Sequence, residues 1–168
     1  VDAFVIADHL RFGRIAKEVY MDDYRYQALR TLTRARFDVI QNLTREKQRF
    51  ANYLFLKCSG IAQDKDIQNT SATTIALMER FETVDDLANA DLEELTSFID
   101  EKGRNFADPA AKARAIQTAA RDSYRLPITV NNSVNQAMAV SIASMRALER
   151  QVKVLDKAIE HQFEIIPN

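Results

Sequence analysis

Apolar and polar residues alternate with a helical period along most of the chain. Leu29, Leu32, Val39, Ile40, Leu43, Phe50 and Leu54 fall on one arc at 100° per residue. Asp22 or Asp23 can cap this helix, and Ser59-Gly60 supplies a stop after Cys58. At a 1.5 Å rise per residue the element spans roughly 50 Å, too long for one small core to cover. A second run is more regular. Val134, Met138, Met145, Leu148, Val152, Leu155, Ile159 and Ile166 follow alternating three- and four-residue steps, interrupted by Ser141 and Gln162. Such a repeat predicts a coiled-coil seam. Pro127 and residues 131–133 mark its start and Pro167 its end.

Short helices are expected between these two. Thr70 or Ser71 precedes Ala72 to Phe81, Thr83 to Asp86 reads as a capped turn, and Asp91 to Glu94 as a capping box. Asp108-Pro109 places a cap and a first-turn proline before a helix through Ala120. Residues 2–12 read as another short helix, followed by a connector with Gly13. Three Gly and three Pro in 168 residues leave few turns, and strands need turns. The expected fold is therefore all-α: two long helices forming an antiparallel coiled-coil hairpin, with a cluster of short helices inserted between them. The expected divisions are 1–21, 22–60 for the first long helix, 61–127 for the insert and 128–168 for the second.

Net charge is −1, but its distribution is uneven. Residues 10–50 carry ten Lys/Arg against five Asp/Glu, residues 61–108 four against twelve, and residues 109–168 eight against five. Two basic ends around an acidic middle suggest contact with a polyanion. Cys58 is the sole cysteine, so neither an internal disulfide nor a paired-cysteine zinc site can form. No run of 18 apolar residues is present, so no membrane partner is expected.

Arg30, Arg34, Arg45 and Arg49 share an arc of about 100°, with Gln41, Gln48 and Asn52 beside them and Asp38 as its one acid. Guanidinium groups along a rigid helix suit a phosphate backbone, so these four are the candidate nucleic-acid-binding residues. Arg25, Arg36 and Lys47 instead project into the apolar arc, where pairing with acids across a helix interface is expected. Arg146, Arg150, Lys153 and Lys157 form another stripe, with Glu149, Asp156 and Glu160 alongside to neutralise it. Val134, Met138, Met145, Leu148, Val152, Leu155 and Ile159 are the candidate interface. If left uncovered, that strip predicts self-association, to a dimer or higher oligomer. Asp8, His9 and His161 do not complete a metal shell, and Tyr20, Tyr24 and Tyr26 read as packing at a helix start. No phosphate-cradling glycine loop or Ser-His-Asp set is recognisable.

The chain opens without an initiator Met on Asp2-Ala3, Ile6-Ala7, Leu10-Arg11 and Gly13. This phrase resembles the end of the catalytic domain in the Piv-like DEDD transposases of bacterial insertion sequences. The stretch from Leu29-Arg30 through Leu32-Thr33-Arg34 to Arg36 is similar to the arginine-rich helix that follows it. The resemblance implies an RuvC-like nuclease upstream and places Asp2 as its last metal-binding acid, catalytic and Mg²⁺-binding only in the intact parent. Residues 1–21 would then be the end of that domain, and a C-terminal domain would follow Ile166-Pro167-Asn168. It further implies DNA cleavage and rejoining in a bacterial cytoplasmic oligomer that engages DNA and element-encoded RNA. The fragment alone is expected to be inactive and without a cofactor. The alternative is a helical protein-interaction scaffold with no nucleic-acid role.

Overall fold

A computed structural model describes Arg11 and residues 24–103 and 106–165. The described residues form seven helices and no strand: α1 (Tyr24–Lys57), α2 (Ser59–Gln63), α3 (Ala72–Arg80), α4 (Val84–Ala88), α5 (Leu92–Lys102), α6 (Pro109–Arg121) and α7 (Ile128–Ile165). The expected helix over residues 2–12 and its connector lie outside the described residues, apart from Arg11.

The two long helices pack lengthwise. Gln162 donates to the Arg25 carbonyl at 3.3 Å, Arg36 pairs with Asp156, and Ser141 makes a long 3.5 Å bond to the Glu46 carbonyl. Residue numbers thus rise along α1 as they fall along α7. Ser141 and Gln162, the two breaks in the apolar repeat of α7, both reach across to the backbone of α1. Ser141 is small enough to be buried, and Gln162 offers an amide donor where the pair opens towards water.

Burial along this pair is graded. In α1 the buried residues are Glu46, Phe50, Leu54 and Lys57; in α7 they are Asn131, Val134, Met138, Ser141, Ile142 and Met145. Those stretches adjoin α2–α6, and Phe50, Leu54, Ile61, Leu77, Leu87, Leu95, Ile99, Ile116 and Met138 are sealed together there. Each such side chain contributes about 1.5–3 kcal/mol by leaving water. Further out, Leu29, Leu32, Val39 and Leu43 of α1 and Leu148, Val152, Leu155 and Ile159 of α7 are only half-buried. Two helices alone cannot enclose a seam, so this part is an arm projecting from the core, about 30 Å long at 1.5 Å per residue.

The insert follows its capping chemistry. Ser71 Oγ accepts the Thr74 amide, and Thr83 and Asp86 form a reciprocal capping box. Asp91 accepts the amides of Glu93 and Glu94, and Asp108 caps a helix with Pro109 in its first turn. One expectation changes. The long helix ends at Lys57, about where expected, but Ser59 and Gly60 are themselves helical: the chain bends at Cys58 and resumes as α2. Gly60 is there for proximity, because a Cβ would lie 1.9 Å from the Ala119 carbonyl oxygen of α6. Its amide also donates to Ser123 Oγ at 2.9 Å, fixing the approach.

The atom in the way is helical backbone, which cannot rotate aside. Gly60→Ala should therefore lower folding stability by about 1–3 kcal/mol, the usual range for overpacking. Urea unfolding measures this; an unchanged midpoint would contradict the close approach.

Candidate nucleic-acid interface

The seam of α1 fixes where its arginines go. With Leu29 to Leu54 turned to α7, Arg30, Arg34, Arg45 and Arg49 project from the opposite side, and all four are exposed. The structure thus brings them onto one outer face. Arg45 Nη1 meets Asn42 Oδ1 at 3.5 Å, and Arg49 Nη1 meets Glu46 Oε2 at 2.9 Å. A three-residue-spaced pair of this kind is exposed on the arginine side and screened by salt, so it holds Arg49 only weakly. The solvent-facing geometry suits a ligand that offers several anionic oxygens in a row.

Cations inside the seam behave differently. Arg36 is half-buried and pairs with Asp156 across the interface, and Arg25 and Lys47 are half-buried at the same level of the wheel. Asp156 is thereby drawn away from the α7 stripe it was expected to neutralise. Arg146 of that stripe also finds a distant partner, making a two-pronged contact to Glu79 of α3 at 2.7 and 2.8 Å. That contact holds the guanidinium pKa above its ordinary value. Arg150, Lys153 and Lys157 remain exposed beside Glu149 and Glu160.

Among the candidate interface residues, Val134, Met138 and Met145 are buried, and Leu148, Val152, Leu155 and Ile159 are half-buried, facing α1. The seam therefore has a partner within the chain, and an uncovered seam no longer supplies the argument for self-association. The arm's open flanks do: Val154 is 66% exposed and borders a shallow groove with Val39, Ala147, Gln151 and Leu155.

Asp2, Asp8, His9 and Tyr20 lie outside the described residues. Tyr24 and Tyr26 are exposed, and His161 stands 3.6 Å from Glu164 on the surface. Among the described residues no cluster of three or more His, Cys, Asp or Glu could hold a metal ion. Among the described residues no helix is long and apolar enough to cross a membrane.

Residues 1–57 match the family model of the IS110-type DEDD transposases. Over this segment the chain is similar to the IS110-type DEDD transposases. The matched segment ends at the last residue of α1, so it contains all four outward arginines. No curated protein and no solved structure matches the chain.

Sequence reasoning passed over Lys57. It sits on the apolar arc three residues after Leu54 and is 3% exposed. Its Nζ donates to the carbonyls of Met78 at 3.0 Å and Phe81 at 2.6 Å, closing the C-terminal end of α3. A lysine at a seam position in a last helical turn was the available signal. Burial pushes its pKa down from 10.5 to about 8, against the opposing pull of Cys58, Glu82 and Asp86. The folded state then releases this proton before the unfolded chain does. Lys57 therefore makes stability rise with pH between about 8 and 10.5. Relative to Lys57→Met, the wild type should gain about 3 kcal/mol across that window, read by urea unfolding at each pH. A constant difference between the two proteins would contradict the buried ammonium.

Proposed function

We propose that this chain is the nucleic-acid-contacting and self-associating helical region of an insertion-sequence transposase that cuts and rejoins DNA. In this reading α1 and α7 form an antiparallel coiled-coil hairpin, with α2–α6 capping its closed end. The outward set of Arg30, Arg34, Arg45 and Arg49 carries the reading. It sits on rigid helix, opposite the seam with α7, inside the segment that matches the family. The ligand is the phosphate backbone of DNA or of element-encoded RNA. In the whole enzyme Asp2 would be one of several acids holding Mg²⁺, a hard cation that prefers oxygen ligands. A single carboxylate cannot hold it, and no catalytic step is assigned to this chain.

A second copy is the proposed partner of the arm. Val154, Val140 and Ile165 are exposed apolar residues of α7, and the groove between Val39 and Leu155 is open. Covering that flank with another arm would complete the half-buried seam on one side. The competing reading, a protein-interaction scaffold without nucleic acid, draws support from Arg49 being paired to Glu46.

Binding of a DNA duplex or a structured RNA between about 50 and 200 mM salt separates the two. The wild type should lose affinity steeply with salt. Replacing the four arginines by Ala should reduce the logarithmic slope by about 3–4, close to one unit per lost phosphate contact. No binding at the lower salt would favour the scaffold. Val154→Glu should shift the sedimentation equilibrium towards monomer at unchanged helix content. A mass unaltered by that substitution would remove the proposed flank.

A further inference from the structure

Three exposed aromatic residues stand in the same column as part of the arginine face. Tyr26, Arg30, Phe37, Gln41, Gln48 and Phe55 are separated by 4, 7, 4, 7 and 7 residues, which keeps them within an arc of about 60° on α1. Phe37 is 61% exposed, Tyr26 44% and Phe55 42%. Arg30, Gln41 and Gln48 between them are exposed too, and none of the six is a carboxylate. The seam does not account for these rings, since α7 meets the other side of the helix. Phosphate contact does not account for them either, because a phenyl ring gives an anion nothing.

We propose that this column binds unpaired nucleobases, with Phe37 at its centre as a stacking platform. The inference deepens the nucleic-acid reading above and rests on it. Each base has a π-face that stacks on an aromatic ring, while guanidinium groups nearby hold the strand. Glutamine side chains can pair with exposed base edges. The spacing favours bases over a protein partner. The rings are about 16 and 27 Å apart along the helix, with polar donors between them. A protein hot spot gathers its aromatics into one dry patch. Isolated rings suit a ligand that brings its own flat apolar surface at intervals. A continuous duplex keeps its bases stacked on one another and could use only the arginines.

The chain has no tryptophan, so Phe37→Trp supplies a single fluorescent reporter at the site. The probes are a single strand of about 20 nucleotides, as DNA and as RNA of one sequence, and the corresponding blunt DNA duplex. Single strands should quench the Trp emission and the duplex should not. Phe37→Ala should weaken single-strand binding about 5- to 100-fold. Duplex affinity and the salt slope should stay as in the wild type. Phe37 faces solvent, and an unchanged thermal melt would confirm that the variant folds. Quenching by either kind of strand supports the inference. Binding without quenching overturns it, as does a Phe37→Ala variant that loses both ligands equally or neither. If duplex binding still depends on the four arginines in those cases, only the stacking column fails. If no probe binds, the arginine face itself is wrong.

Discussion

The lengthwise burial of α1 against α7 constrains everything else in this molecule. A helix more than 30 residues long has one apolar arc, and whatever covers that arc decides which side chains remain in water. Here α7 covers it, from Gln162 opposite Arg25 down to Ser141 opposite Glu46. The four arginines, the exposed aromatics and the outer amides of α1 are left facing out as a consequence. Their alignment comes from the helix, and their exposure from the pairing.

The short helices serve that arrangement at one end. They pack where Phe50 and Leu54 of α1 approach Met138 and Ile142 of α7, and together these elements make the only fully enclosed core among the described residues. Several polar contacts tie the insert to the long helices. Lys57 closes α3, Asn131 and Asn135 both donate to the Glu82 carbonyl, and Arg146 clasps Glu79. Stability is therefore concentrated at one end, while the arm carries the exposed cations and rings. Such a division leaves the arm's surface available for partners without loosening the core.

Much of the fold was legible in the sequence because the signals were local. Capping residues at Ser71, Thr83, Asp91 and Asp108 opened helices where expected, and the apolar repeats marked both long helices. The errors came from tertiary context. Gly60 looks like a helix stop, but what it accommodates is the backbone of α6, 59 residues away. Lys57 was passed over because its acceptors, the Met78 and Phe81 carbonyls, are brought to it only by the packing of α3. Asp156 seemed to belong with its neighbours on α7, yet it faces Arg36 across the seam. The arginine face could be read from periodicity alone. The aromatic column on its edge could be drawn on the same helical wheel, but only the observed exposure distinguished those rings from core.

The central claim is that the outer side of α1 meets nucleic acid. Arginine-selective chemical modification, mapped by mass spectrometry with and without a bound DNA or RNA strand, tests it most directly. Arg30, Arg34, Arg45 and Arg49 should become protected on binding, while Arg114 and Arg121 of α6 keep reacting as in the free protein. Protection confined to α6 or α7, or no protection at saturating ligand, would contradict the account.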